Sequence, residues 1–210
     1  MQMATASRVL RHPAVPLVAI AAVVIGVAAW TLGRSPDGDD PPTPLRVRAT
    51  SIYDFSSLEE MSAASDLVVE ADVIAVERGR LVGDPDEGGV ISRIVTLSVA
   101  DVIKGDPSAG VPTVIVEEEG WLPDGTPLIV DDVEPSAVGD HGVWFLDALD
   151  DAGSADLPAY LVINSQGRLL ERDDRVVGGD QTDPLVLAIQ RGSFDELIRA
   201  LEASTSVAPS

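Results

Sequence analysis

Asp140 and His141, side by side in the stretch VGDHG, are the first pair in this chain that could move a proton. His141 is the only histidine beyond residue 33. As a general base it would need a carboxylate to orient its ring and a hydroxyl to activate. Neighbouring residues on a strand point to opposite faces, which makes Asp140 a poor orienting partner. The serines are scattered, and neither G-x-S-x-G nor S-x-x-K occurs. A cell-surface hydrolase using His141 is therefore the rival functional reading, and no residue is assigned a catalytic role. A solvent turn leading into a buried strand accounts for the same letters.

Carboxylates form the second candidate group. Glu117, Glu118 and Glu119 end one apolar run, and Asp131, Asp132 and Glu134 follow in the next connection. Clustered hard oxygens suit calcium. The segment DPDEG at Asp84 to Gly88 lacks the spacing of the twelve-residue calcium loop. In a chain with 35 acidic residues such clusters also arise by composition, so no metal or cofactor site is assigned. Trp121 follows the acidic run. An exposed indole there would anchor a partner, whereas a buried one would plug the end of a barrel. Glu118, Trp121, Asp131 and Asp132 are the expected partner surface, centred on the connection Gly120 to Asp140.

Strands must position these groups. Val69, Ala71 and Val73 alternate with Glu70 and Asp72, and the apolar phase then shifts to Ile74 and Val76. A one-residue slip in a period-two pattern predicts a bulge that bends the strand, as when a sheet curls toward closure. After the turn-rich GDPDEGG, Val95, Leu97 and Val99 alternate with Thr96 and Ser98, which predicts a long hairpin. Thr113 to Glu117 makes a third strand. The connection Gly120 to Asp140 is too rich in proline, glycine and acid for a central strand, apart from a short pairing at Leu128 to Val130. GVWFLDAL at Gly142 to Leu149 reads as a strand buried on both faces. Ala159 to Asn164 and Arg168 to Glu171 are expected to form a final hairpin across SQG.

Helices are short. Ser57 with Glu60 forms a capping box, Asp183-Pro184 opens a helix that stops at Gly192, and Ser193 with Glu196 caps another. Phe194, Leu197, Ile198 and Leu201 form an i, i+3, i+4, i+7 stripe that must pack on the sheet.

Ala14 to Gly33 is twenty residues without a charge, about the length that crosses a bilayer as a helix. Trp30 near its end suits the interface. The expected organisation is a short basic cytoplasmic tail at 1–13, a transmembrane helix at 14–33 and an acidic Pro/Gly-rich linker at 34–50. An extracytoplasmic β-rich domain with C-terminal helices follows at 51–204, then a disordered tail at 205–210. Arg8 and Arg11 precede the span without an acid, and a basic start, an apolar stretch and a polar linker are the layout of an export signal. The run is longer than an ordinary signal core, which favours an uncleaved anchor, with cleavage near Gly26 to Ala28 as the alternative.

The 210 residues carry 35 acids against 14 bases, a net charge of −21, which argues against a nucleic-acid reader built on phosphate neutralisation. The absence of cysteine removes disulfides, thiolate metal sites and cysteine nucleophiles together.

The succession DLVVEADVIAVERGR, VTLSVADVIKGD, TVIVEEEG and VGDHGVWFL, from Asp66 to Leu146, resembles the netrin-like or metalloproteinase-inhibitor type of oligomer-binding (OB) barrel. The resemblance implies a bent first strand, a second ending at a lysine-glycine turn, a glycine-led fourth, and terminal helices. The active edge of those inhibitors depends on an N-terminal cysteine and on disulfides that this chain lacks, so the resemblance implies no functional residue. The chain is also similar to uncharacterised membrane-anchored proteins of actinobacteria. The expected fold is mainly β: a five- or six-stranded curled sheet or small OB-like barrel with short terminal helices, preceded by one transmembrane helix. The expected role is a non-enzymatic binding or interaction domain. Its anchor lies in the lipid bilayer through residues 14–33, and it meets a protein or small-molecule partner outside the cell. A structural spacer of a membrane assembly is a further alternative.

Overall fold

The apolar phase shift after Val73 bends the longest strand of the molecule. In the computed structural model, which describes residues 42–49, 54–84, 88–107, 113–149 and 160–205, that strand is Leu67–Val82 (β2). It pairs antiparallel with Val90–Lys104 (β3), and the register slips between Val73 and Ala75, where the sequence predicts a bulge. Thr113–Trp121 (β4) pairs antiparallel with β3, and His141–Ala148 (β6) pairs antiparallel with β2. Tyr160–Val162 (β7) lies between β6 and β4, antiparallel to the first and parallel to the second. The order β2-β3-β4-β7-β6 returns to β2, so these five strands close a barrel consistent with the expected OB-like form.

Two apolar clusters follow from strand alternation. Inside the barrel are Leu67, Val69, Ala71, Val73, Val95, Leu97, Val114, Val116, Trp144 and Leu146. Outside it, Val68, Val143 and Phe145 meet Phe55, Met61, Phe194, Leu197 and Leu201. β6 is therefore buried on both faces, Trp144 and Leu146 toward the barrel and Val143 and Phe145 toward the helices, as its continuous apolar run predicts. Helix Phe194–Thr205 (α3) supplies the last three residues of the outer cluster through its apolar stripe. Its capping box is complete: Ser193 Oγ accepts from the Glu196 N–H, and the Glu196 carboxylate accepts from the Ser193 N–H. Helices Leu58–Ala64 (α1) and Pro184–Ile189 (α2) are capped by Ser57 and Asp183.

Three local departures from expectation matter for the site. Ala159 to Asn164 and Arg168 to Glu171 do not hairpin together. β7 and Arg168–Arg172 (β8) instead follow one another along the same edge of β6. The Ile163 N–H donates to Phe145 O and the Phe145 N–H to Gly167 O, so Asn164 to Gln166 loop out of an interrupted strand. The hairpin partner of β8 is Arg175–Gly178 (β9), joined through Asp173 and Asp174 at φ 54° and 61°. The second departure is Leu45–Val47 (β1), within the stretch 34–50 expected to be linker. It pairs parallel with Leu128–Val130 (β5), the short pairing read from the sequence. Third, β4 runs on through Gly120 to Trp121, past the Glu117 at which the sequence reading stops it.

No helix among the described residues is long and apolar enough to cross a membrane. The expected tail 1–13 and span 14–33 lie outside the described residues, as do 206–210, while Thr205 is the last residue of α3.

Candidate functional site

Among the described residues β4 has a ladder partner on its β7 side only at Val116 and Glu117. Past that point the barrel seam is closed by side chains. Arg168, at the start of β8, donates from Nη1 to both oxygens of Glu118 at 3.1 and 3.3 Å, and to Ser136 Oγ at 2.6 Å. Ser136 Oγ donates to Glu118 Oε1 at 2.6 Å, and the Ser136 N–H reaches Oε2 at 3.3 Å. A second bond from Arg168 Nη2 ends on the carbonyl of Glu134. The Arg168 and Glu118 side chains are only 6% and 8% exposed. An ion pair this deep holds only because further hydrogen bonds offset the loss of water.

Register places Arg78, Arg93 and Glu118 in one row across β2, β3 and β4. Arg93 shares the phase of Val95 and Leu97, the inward phase of the barrel, and is buried. Its Nη1 donates to the Ser136 carbonyl at 3.0 Å. Burial pulls the Arg93 guanidinium below its ordinary value, a shift opposed by Glu118 and reinforced by Arg168. Trp121 completes the end of the row. The guanidinium carbons of Arg93 and Arg78 stand 4.6 and 5.1 Å from the centre of its ring, within cation-π range. Gly120 permits this arrangement, since a Cβ there would lie 2.6 Å from the Ile91 carbonyl oxygen.

The expected partner residues thus fall into two groups. Glu118 and Trp121 belong to the barrel end. Asp131 and Asp132 form the turn after β5, at φ 52° and 58°, closed by the Val133 N–H on the Val130 carbonyl. They hold β1 in place. Asp131 Oδ1 accepts from the Ala49 N–H at 2.8 Å, and Asp132 pairs with Arg46 and Arg48. Burial raises the Asp131 carboxyl above its usual range, the Ala49 N–H opposes this, and Asp180 adds to it. Glu117 is gripped by Arg80 through Nε and Nη2 at 3.0 and 2.9 Å, and Glu134 bonds Arg46 at 2.8 Å. Of the acids weighed as calcium ligands, Glu117, Glu118, Asp132 and Glu134 are in this way taken up by arginine partners, and Asp131 by the Ala49 N–H. Among the described residues no group of three or more histidines, aspartates and glutamates is arranged to hold a metal ion.

His141 meets carboxylates from a strand that sequence neighbours do not reveal. Nδ1 lies 3.0 Å from Asp72 and Nε2 lies 3.1 Å from Glu70, both on β2, with Glu171 of β8 at 3.9 Å and the Phe194 ring 5.3 Å away. Asp140 turns elsewhere, to the Ala137 N–H and to Arg172. A shallow groove of about 430 Å³ lies between Phe55 and the start of α2, lined by Pro184, Leu185 and Ala188 with Asp54 and Asp183.

Arg78, Arg93, Arg168 and Ser136 are not among the candidates the sequence reading names. For Arg93 and Arg78 a signal exists: each continues the inward phase of its strand, two residues before Val95 and two after Val76. No comparable signal marks Arg168 or Ser136, whose meeting depends on the interrupted β7-β8 edge. No protein-family model matches the chain, and no curated protein matches it.

Proposed function

We propose that this chain is a single-pass, membrane-anchored binding or interaction domain. Residues 14–33 hold it in the bilayer, and the barrel is displayed on the extracytoplasmic side. The anchor rests on the twenty-residue uncharged run with a basic stretch before it. The binding role is carried by one observation: a half-buried Trp121 in a row with Arg93 and the exposed Arg78, at an end of the barrel where the strand ladder stops. Tryptophan and arginine are the residue types that most often dominate interface energies, because each combines a large desolvating surface with directional polar contact.

A membrane-impermeant crosslinker applied to intact cells tests this reading. A discrete adduct is the expected result, present with the wild-type chain and lost with Trp121→Ala. Absence of any adduct, or adducts indifferent to every substitution at this end of the barrel, would refute a binding role there and favour a spacer.

A further inference from the structure

We infer that the row Arg78-Arg93-Trp121 receives a carboxylate carried on an extended polypeptide segment. This rests on the binding role proposed above and names the chemistry of its partner.

Charge balance is the first observation. Three guanidinium groups, of Arg78, Arg93 and Arg168, gather at this end of the barrel, and Glu118 is the only carboxylate hydrogen-bonded to any of them among the described residues. Elsewhere Arg46, Arg48, Arg80 and Arg172 each pair with an acid. Among the described residues Arg78 meets only the indole. The second observation is a shortage of acceptors. Arg93 is 8% exposed and Arg168 5%, yet the buried Nε of each lacks a hydrogen-bond partner. Buried donors are seldom left so, and this end of the barrel holds more guanidinium donors than acceptor oxygens.

The indole supplies geometry. A guanidinium held over an aromatic face by cation-π attraction still has N–H groups available for a bidentate carboxylate. The backbone argues for a polypeptide as the carrier. Beyond Val73, which still bonds the backbone of Gly139 and Asp140, β2 has no ladder partner on that edge among the described residues, and Ala75 to Arg78 keep regular register with β3. An extended segment can add to that edge while its acidic side chain reaches Arg78. A net charge of −21 disfavours a long polyanion and leaves room for a segment with one or two acids.

The test uses the full-length chain in detergent micelles and two fluorescein-labelled heptapeptides, Thr-Val-Thr-Glu-Val-Thr-Val and its twin with Gln for Glu, followed by anisotropy. The Glu peptide is expected to bind about tenfold more tightly than the Gln twin, a preference that weakens in high salt. Arg78→Gln, an exposed position whose melting temperature serves as the folding control, should abolish the preference, and Arg78→Lys should restore only part of it. Equal binding of the two peptides, or an unchanged preference in Arg78→Gln, would overturn the inference. So would displacement of the peptide by tripolyphosphate at lower concentration than by free glutamate, which would assign the row to phosphates. A cell-surface adduct that survives Arg78→Gln would remove this partner chemistry and leave the binding role standing. Absence of any adduct removes the role itself.

Discussion

Glu118 shows how an acidic side chain that looks available in the sequence is consumed by the fold. Its carboxylate takes hydrogen bonds from Arg168 and Ser136 in a nearly dry setting. Removing it strands a buried guanidinium, and Glu118→Ala is expected to cost about 3–5 kcal/mol of stability. Urea denaturation checks this, and a loss below 1 kcal/mol would mean that the seam is not held by this pair. His141 carries the same lesson. That Asp140 is badly placed to orient it could be argued from strand geometry alone, and Asp140 does bond Arg172. That Asp72 and Glu70 take its place depends on the β2-β6 register, which pairs Asp72 with His141 across 69 residues of chain. Alternation gives the face a residue occupies, but not which strand lies opposite.

Elements with a local cause were legible. The bulge after Val73, the doubly buried β6 and the α3 stripe each follow from a periodicity within one segment. The turn residues Ser165-Gln166-Gly167 suit a hairpin and a looped-out strand equally, so the sequence does not separate the two. What separates them is Phe145, which bonds both Ile163 and Gly167. β1 leaves no sequence signal, because three residues after a proline carry no period. At α1 the sequence predicts a reciprocal capping box. Ser57 does cap the Glu60 N–H, but the Glu60 carboxylate reaches one residue further back, to the N–H and hydroxyl of Ser56. The Ser56 backbone bond, then its hydroxyl, holds that carboxyl below the usual range. A lowered folded-state value gives stability that is present above the unfolded carboxyl's titration and fades as pH falls through the folded one. The melting temperature of Glu60→Gln should therefore lie below wild type near neutrality and converge with it in acid. Parallel curves across that range would exclude the linkage.

For the molecule as a whole, closure depends on two kinds of contact. Ladder hydrogen bonds complete most of the barrel, and the Arg168-Glu118-Ser136 cluster completes the part of the seam where β4 outruns β7. Strand patterns predicted a curled sheet or barrel. Nothing in them showed where the ladder would stop, since that depends on β7 and β8 sharing one edge of β6. The proposed binding surface, Trp121 with its two arginines, lies at the same end of the barrel as this break. Placement of that surface outside the cytoplasm rests on residues 14–33. Protease added to intact protoplasts, followed by a carbonate wash of the membranes, tests this most directly. The expected result is loss of the barrel with an N-terminal fragment of anchor length retained in the washed membrane. Survival of the full-length chain under protease, or its release into the carbonate supernatant, would contradict it.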